Sequence, residues 1–576
     1  VPESRAEEIA KSAEEAITRE LQNIGDAVWN WISQEAGKAE CSGIDNWKKH
    51  WDFQIQAFPQ ITWAIQPWLE RGKCLAEFKK LPLNDESRKD DGKPATPYQR
   101  LQDMLLFGEK WLPEEVRDER YYTDNDVRKT LNNPGILWSA HYALVDAKLA
   151  ARRNTRDFSA WKTEDGKTEH GTPKDSLSGK EEIIGDEKFW EHLVNTCGKD
   201  KGNVFTSPGH RYGAMNLIKR LWCRSDKVSY LFDKTKEKIP GFETVEDVAK
   251  KNKYGGKYVA ILAMDGDDMG KWVSGEKTPE FLNQISADAR KYLEPILKKE
   301  GKADLRRMLT PSYHLQFSEA LANYSTWLAS AIVDKFGGQL IYSGGDDVLA
   351  MLPADRAIEC AETLRSVFRG DSKMKDQRDF HLAIQQDGFV SENAGYPLIV
   401  PGKAADVSIG LTIGHCNAPL QMLVKEAQKA EKRAKKEYKK GAIAITVYKR
   451  SGEILEWGCK WDCDNESRVA LELMRKMTEL SSGDNAPVSG RFPYALAGLL
   501  SPYELGGEKS IDDGKLKEII LKEFGHVVQQ QAKNLEEKRE LLEMAGKWLD
   551  QTNGKYEDFS KLFLVETFIN RARGEN

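Results

Sequence analysis

Apolar side chains near the start of the chain recur at three- and four-residue steps, at Ile9, Ala13, Ile17, Leu21, Ile24 and Val28. That spacing places them on one face of a helix, so the pattern predicts a helix over residues 1 to about 40. Between about 50 and 70, the sequences WDFQIQAF and QITWAIQP are typical of strands. Residues 154–185 are polar and rich in Lys, Asp, Gly and Ser, which predicts a linker. After residue 465 the periodicity is almost entirely helical.

The most regular pattern occupies the middle of the chain. Its predicted elements are a strand at 257–265, helices to about 336, a hairpin at 337–353, a helix at 355–368, a strand at 407–415, an amphipathic helix at 420–438 and a strand at 442–449. The order β-α-β-β-α-β is that of the ferredoxin-like split unit, which also forms the palm of polymerases and nucleotide cyclases. The sequence therefore predicts an α+β fold that contains a palm domain.

Two acidic clusters stand at the ends of predicted strands. Asp265, Asp267 and Asp268 follow the apolar strand VAILAM, and Asp346 and Asp347 occupy the turn of the hairpin. Because the first strand and the central hairpin are neighbours in such a sheet, Asp265 and Asp346 are expected to meet at one edge. Carboxylates gathered there repel one another unless a cation lies between them. Oxygen ligands of this kind suit Mg²⁺ or Mn²⁺, and two such ions can activate a hydroxyl and stabilise leaving pyrophosphate.

Small and basic residues around the carboxylates suit a nucleotide triphosphate. Glycines let the backbone approach a ligand closely, and free N–H groups and lysines can neutralise phosphate charge. The expected nucleotide contacts are Gly266, Asp267, Asp268, Gly270, Lys271, Ser343, Gly344, Gly345 and Lys435. GGDD alone is also a good hairpin turn, and DGDD alone a good helix cap. Both together, each ending an apolar strand in the right order, favour a metal and nucleotide site.

Composition narrows the class of protein. The chain has 576 residues, of which 40% are hydrophobic and 31% charged, so it is globular and suggests three to five domains. The formal charge of −5 excludes a uniformly basic surface but permits a local basic groove. Eight cysteines without disulfide-like spacing, and the lack of an apolar run of spanning length, favour a cytoplasmic protein without membrane association.

Four segments resemble the large subunit of type III CRISPR effector complexes, and the Cmr (type III-B) kind most closely. They are DGDDMGKW (265–272), IYSGGDDVLAMLP (341–353), SIGLTIGH (408–415) and AITVYKRSGE (444–453). The resemblance implies antiviral synthesis of cyclic oligoadenylates from ATP, activated by target RNA. It implies other Cmr-type subunits, guide CRISPR RNA and target RNA as partners. It also makes Asp265, Asp346 and Asp347 the catalytic residues and the ligands of two Mg²⁺ or Mn²⁺ ions.

The resemblance also implies a domain organisation with two cyclase-like palms. Residues 1–155 are expected to hold an N-terminal helix and a degenerate first palm, and 156–250 a linker and helical domain. Residues 251–455 are expected to form the catalytic GGDD palm, and 456–576 a C-terminal helical domain. Within the second palm, the A-x-x-x-A-K pattern ending at Lys435 resembles the helix of diguanylate cyclases in which the lysine meets the triphosphate.

Two features of the family are missing from the sequence. No His-Asp dipeptide is present, and only about 50 residues precede the first palm-like region. Either the natural protein lacks an HD nuclease domain or the chain has been truncated before Val1, so we expect no DNA cleavage by this chain. Asp175 and Ser178, and Gly213 and Asn216, stand where the family has two C-x-x-C pairs. Because four thiolate positions are lost together, no structural zinc is expected.

Two alternatives to oligoadenylate synthesis remain open. The same palm chemistry could join AMP to another metabolite or give linear products, or the chain could be chiefly a structural, ATP-binding subunit of the ribonucleoprotein. A diguanylate cyclase is less favoured because Asp347-Val348 stands where that family has Glu-Phe. A templated polymerase is less favoured again, because no segments typical of fingers or a thumb are found.

Overall fold

The computed structural model describes most of the chain. The described residues are 2–81, 134–155, 173–197, 205–236, 243–274, 277–299, 307, 310–371, 382–386, 388–392, 395–462, 469–481, 486–503, 513–531, 538–552 and 555–572. The chain divides into two compact units. One consists of Val1–Phe242 with Ser274–Thr310, and the other of Glu243–Val273 with Pro311–Asn576.

Helices dominate both units. In chain order the described helices are α1 (Ala6–Lys38), α2 (Ile44–Ala57), α3 (Arg71–Lys79), α4 (Pro134–Asn154), α5 (Glu187–Cys197), α6 (Ala214–Leu221), α7 (Tyr230–Thr235), α8 (Val245–Lys250), α9 (Met269–Ser274), α10 (Ala287–Lys299), α11 (Pro311–Asn323), α12 (Ala329–Lys335), α13 (Ala357–Arg369), α14 (Leu420–Lys436), α15 (Val469–Ser481), α16 (Phe492–Leu500), α17 (Asp513–Gln531), α18 (Lys538–Gln551) and α19 (Glu557–Ala572). A five-residue π-helix joins α11 to α12. No described helix combines the length and the apolarity needed to cross a membrane.

In the first unit, all described elements of regular secondary structure are helices. The predicted N-terminal helix is confirmed as α1, which buries Val28 and Ile32. The strand predicted from residue 50 is wrong, because Trp51 and Ile55 lie on one buried face of α2. The alternation in WDFQIQAF also satisfies a four-residue step, and packing against α1 selects the helix. Described residues before Tyr258 contain no strand, so the degenerate first palm stays a prediction. Parts of the predicted linker and palm lie outside the described residues.

A six-stranded sheet forms the centre of the second unit. In chain order, the described strands of this unit are β1 (Tyr258–Gly266), β2 (Gln339–Gly344), β3 (Asp347–Pro353), β4 (Leu382–Gln386), β5 (Phe389–Glu392), β6 (Leu398–Ile399), β7 (Val407–His415), β8 (Ala442–Tyr448) and β9 (Ile454–Lys460). The order is β2-β3-β1-β7-β8-β9, and β4, β5 and β6 form a separate small sheet. β1 pairs antiparallel with both β3 and β7, which is the ferredoxin-like arrangement. The predicted α+β fold with a palm is therefore confirmed.

Apolar residues of alternating orientation cover both faces of this sheet. Along β1, Ala260, Leu262 and Met264 belong to the core that α13 also enters, whereas Val259 and Ile261 pack with α14. All five of these residues are at most 2% exposed, so β1 is buried on both faces. The carboxylates that follow the apolar run of β1 are therefore held at the end of a rigid central strand.

The predicted helical C-terminal region is confirmed by α15 to α19. Phe492, Phe524, Phe559 and Phe563 form an aromatic cluster with ring centroids 5.4–5.7 Å apart. All four rings are at most 1% exposed. Such edge-to-face contacts favour a defined packing of α16, α17 and α19.

Candidate metal and nucleotide site

Three aspartates converge where β1 ends and the β2–β3 hairpin turns. Asp265 is the eighth residue of β1, Asp346 lies in the turn, and Asp347 begins β3. One carboxylate oxygen from each lies within 4.8 Å of the others. The cause is the antiparallel register, because Met264 of β1 pairs with Val348 of β3. The structure thus brings together the three residues that the sequence predicts to meet.

The electrostatics of this cluster favour a bound divalent cation. Burial raises the pKa of Asp346, and the neighbouring Asp347 carboxylate raises it further. Burial also raises the pKa of Asp347. A cation between these oxygens would reverse both effects, since it stabilises the charged carboxylates. Oxygen-only ligands at this spacing fit Mg²⁺ or Mn²⁺, and Asp265, Asp346 and Asp347 are the residues that would hold them.

Two glycines permit the close approach of the two strand ends. A Cβ atom on Gly266 would lie 2.8 Å from Cβ of Asp346, so a larger residue would push the turn away from β1. Gly345 has a φ of +71°, in the left-handed region that glycine adopts without strain. A Cβ atom on Gly344 would lie nearest to the end of the exposed Tyr342 side chain. Gly266 and Gly345 therefore have the stricter structural requirement.

Helix α14 carries a lysine and a glutamate to the aspartates. Lys435 contacts the carboxylate of Asp265, and its Nζ lies 2.9 Å from Oε1 of Glu431. Burial, followed by the charge of Lys440, lowers the pKa of Lys435 to about 8. Burial, followed by the charges of Asp267 and Asp347, raises the pKa of Glu431 to about 7. The sequence predicted Lys435 as a phosphate partner, but Glu431 was missed because its role depends on how α14 is rotated on the sheet.

Close packing of α14 on the sheet sets the position of Lys435. A Cβ atom on Gly410 of β7 would lie 2.2 Å from N of Glu431 and 2.3 Å from O of Ala427. Ala427, Ala430 and Ala434 are fully buried. The small residues of the A-x-x-x-A-K pattern thus let the helix lie directly on β7. Gly410 was also missed, although a glycine inside an apolar strand is the signal of a close backbone approach.

A second lysine contacts the turn after β1. Lys440 contacts the carboxylate of Asp268, and Nζ of Lys271 lies 3.7 Å from the same carboxylate. Asp268 has a φ of +60°, and Lys439, Lys440 and Gly441 have φ values of 56°, 64° and 51°. This left-handed turn after α14 directs Lys440 toward Asp268. The motif had given no role to Lys440, because its contact depends on that unusual backbone.

Other predicted nucleotide contacts are placed differently. Asp267 is 4% exposed, and its carboxylate accepts hydrogen bonds from Ser408 Oγ at 2.8 Å and from Gly441 N at 2.7 Å. The side chain of Asp267 therefore holds the turn in place, and its predicted contact with a nucleotide stays a prediction. Ser343 precedes the glycines, and its buried Oγ has no hydrogen-bond partner among the described residues. Gly270 is exposed on α9.

The four residues at the expected zinc-knuckle positions come together in the first unit. The Asp175 carboxylate accepts hydrogen bonds from Leu177 N and Ser178 N at 2.8 and 2.7 Å. It also accepts them from Gly213 N at 2.7 Å and Asn216 Nδ2 at 2.9 Å. Burial opposes the charge of Asp175, but these hydrogen bonds prevail and lower its pKa. The carboxylate thus joins the two loops through hydrogen bonds, and the expectation that no zinc binds there stays a prediction.

Comparison with known proteins bears on the same part of the chain. Residues 258–444 match the family model described as Cas10/Cmr2, second palm domain. The chain is 35% identical over 241 residues to the CRISPR system Cmr subunit Cmr2 of Pyrococcus furiosus, a match covering 41% of this chain and 23% of that protein. It is 33% identical over 138 residues to Cmr2 of Saccharolobus solfataricus, covering 24% of this chain and 12% of that protein. The predicted relationship to large type III-B subunits is confirmed, and the chain spans less than a quarter of these relatives.

Similar solved structures include type III-B Cmr-beta in its apo state. That match has a TM-score of 0.48 and 12% identity, and it covers 81% of this chain and 64% of the other. The Csm1–Csm4 cassette in complex with cA4 matches with a TM-score of 0.31 and 15% identity, covering 57% of this chain and 39% of the other.

Proposed function

We propose, from the premise that residues 258–444 are a second palm domain of the Cas10/Cmr2 kind, that the chain makes cyclic oligoadenylates from ATP. One observation carries the proposal: the carboxylates of Asp265, Asp346 and Asp347 converge at the end of the palm sheet. The proposal includes a type III-B effector complex in the cytoplasm, with other Cmr-type subunits and guide CRISPR RNA. Target RNA paired with the guide activates synthesis in that complex.

The reaction is nucleotidyl transfer between two ATP molecules. The 3′ oxygen of one ATP forms a bond to the α-phosphorus of the next, the bond to pyrophosphate breaks, and the hydroxyl proton passes to water. Two Mg²⁺ or Mn²⁺ ions, when bound, lower the pKa of the hydroxyl and balance the charge of the leaving pyrophosphate. Asp265, Asp346 and Asp347 would hold these ions, whose charge would also offset the mutual repulsion of the carboxylates.

Basic residues of the chain suit the phosphates of the substrate. Lys435 contacts the carboxylate of Asp265, and Lys440 and Lys271 are close to the carboxylate of Asp268 in the turn that follows β1. These three lysine side chains are held beside the proposed metal ligands. They would therefore bind the triphosphate of a nucleotide whose α-phosphate is at the metal ions. Ser343 lies directly before the GGDD turn and is a further proposed contact for a sugar or phosphate oxygen; its buried Oγ has no hydrogen-bond partner in the part of the chain that the structure describes.

Mass spectrometry of the products tests the proposal. The full chain is assembled with its partner subunits, guide RNA and matching target RNA, and incubated with ATP and Mg²⁺ or Mn²⁺. Cyclic adenylate oligomers are expected from the wild type and from Asp288→Asn, a control whose side chain is 97% exposed. They are expected to disappear in Asp346→Asn combined with Asp347→Asn, while the complex still assembles.

Three outcomes would contradict the proposal. Undiminished synthesis in the double variant would place the chemistry elsewhere. If the products are linear, or are AMP joined to another metabolite, and still require the two aspartates, the palm catalyses nucleotidyl transfer to another acceptor. Unchanged ATP with every acceptor tested would favour a structural, ATP-binding subunit.

A further inference from the structure

The turn after β1 is anchored from behind by a backbone carbonyl, in addition to the hydrogen bonds of the Asp267 side chain. N of Asp267 donates to O of Asp406 at 2.8 Å, and Asp406 directly precedes β7. Asp406 Oδ1 also accepts from N of Val407 at 2.8 Å, so its side chain and backbone are held together. Any movement of Asp406 is therefore transmitted to the segment between Asp265 and Asp268.

Asp406 is in turn held by an arginine of α13. Nε and Nη2 of Arg365 donate to Oδ1 and Oδ2 of Asp406, both at 2.7 Å. The Arg365 side chain is only 3% exposed. Arg369, one turn further along α13, adds a third hydrogen bond to Asp406 at 3.0 Å. A planar guanidinium that makes two parallel hydrogen bonds fixes the orientation of a carboxylate as well as its position.

Arg365 also joins the segment that follows β9. Its Nη2 lies 2.5 Å from Oδ2 of Asp462, and its guanidinium lies 5.5 Å from the ring centre of Trp461. N of Trp461 donates to O of Gly441 at 2.9 Å, and its Nε1 donates to O of Val407 at 3.0 Å. Because N of Gly441 donates to Asp267, the contacts form a closed ring behind the candidate metal site.

We propose that Arg365 is a positioning residue for this metal site. It holds Asp406 and, through that residue, the turn that presents Asp265 to Asp346 and Asp347. Asp462 connects the same arrangement to the chain that leads into the C-terminal helices. This role of Arg365 rests on the proposed function in one respect, which is that the ligand of the site is a divalent cation. Groups that orient metal ligands without touching the metal change its affinity by about 10- to 100-fold when they are lost.

Binding of Mn²⁺ to the purified full chain, followed by electron paramagnetic resonance, tests this role without any turnover. Arg365→Met is expected to weaken Mn²⁺ binding by about 10- to 100-fold. Arg365→Lys is expected to restore part of it, since lysine keeps the charge but not the paired hydrogen bonds. The control is Arg475→Met, which removes another arginine partner of α13, whose Nη2 lies 2.5 Å from Oε1 of Glu362. Its Mn²⁺ affinity should equal that of the wild type.

Hydrogen exchange of the amides at 265–268 separates positioning from general loss of stability. Exchange there should accelerate in Arg365→Met and stay unchanged in Arg475→Met. Wild-type Mn²⁺ affinity in folded Arg365→Met, or an equal loss in Arg475→Met, would overturn the proposal. If Arg365→Met does not fold, Asp462→Asn serves in its place. The Asp462 side chain is 43% exposed, and this variant should weaken Mn²⁺ binding less than Asp346→Asn does but measurably.

The same titration distinguishes failure of this inference from failure of the proposed function. If Asp346→Asn leaves Mn²⁺ affinity unchanged, the metal site itself is wrong. If Asp346→Asn weakens binding but the Arg365 and Asp462 variants do not, only the positioning role is refuted.

Discussion

Replacement of Gly410 by alanine should displace the helix that carries Lys435. Gly410 lies in β7 under α14, and the added Cβ would fall 2.2 Å from N of Glu431 and 2.3 Å from O of Ala427. Both atoms belong to the backbone of the helix, so no side-chain rotation relieves the clash. The helix must move away by roughly 1 Å to restore an ordinary contact of about 3.5 Å.

The structure allows the size of the effect to be bounded. Overpacking of a well-packed core lowers the free energy of unfolding by about 1–3 kcal/mol. The movement also carries Lys435 away from Asp265, which it contacts in the wild type. A misplacement of about 1 Å can lower a rate by about 100-fold, so the activity should fall more than stability alone predicts.

Gly414→Ala provides the matched control for this variant. Gly414 lies on the same strand and face, but its added Cβ would meet Cδ2 of Leu423 at 2.6 Å, the mobile end of a side chain. Urea unfolding measures stability, and ATP turnover by the assembled complex measures activity. Gly410→Ala should lose more stability and more activity than Gly414→Ala. Equal stability and activity in the two variants would refute the argument that direct helix-to-strand contact positions Lys435.

Three further changes test other parts of the molecule. Asp175→Asn should lower the free energy of unfolding by about 1–3 kcal/mol in urea, because an amide cannot accept all four hydrogen bonds; Ser178→Ala, which keeps its N–H, should change it little. Burial raises the pKa of Asp558 to about 6, because the folded protein favours the protonated side chain. The contribution of Asp558 to the free energy of unfolding is therefore complete below about pH 4 and is lost as the pH rises through 6. Asp558→Asn should therefore gain up to about 3 kcal/mol over the wild type at pH 8 and nothing at pH 4, which denaturation at both pH values would show. Gly266→Ala should weaken Mn²⁺ binding by about 10-fold or more, because its Cβ would displace Asp346; wild-type affinity would contradict that.

The sheet could be predicted wherever an apolar strand was bounded by turn residues. β1 is a continuous apolar run, β7 alternates aliphatic residues with Ser, Gly and Thr, and the GGDD turn separates β2 from β3. β9 alternates exposed and buried residues and was missed, and so were the short strands β4, β5 and β6. The segment around Trp51 was assigned to the wrong element because its pattern fits both periods and only contact with α1 decides between them.

The metal ligands could be predicted because strand order alone brings their positions together. Asp265 and Asp346 meet as soon as the first strand pairs with the hairpin. Glu431, Lys440 and Arg365 could not be found in this way. Their roles depend on the rotation of α14, on a left-handed turn and on a buried arginine pair, which are properties of tertiary packing.

The most direct test of the central claim is the Mn²⁺ affinity of the full chain with Asp265→Asn, with Asp347→Asn and with both. These residues stand on different strands, and their carboxylates converge. If they bind the same ion, each single change should weaken Mn²⁺ binding, and the double change should weaken it by less than the two effects added together. Loss in only one single variant, or strictly additive losses, would contradict a shared metal site at the end of the palm sheet.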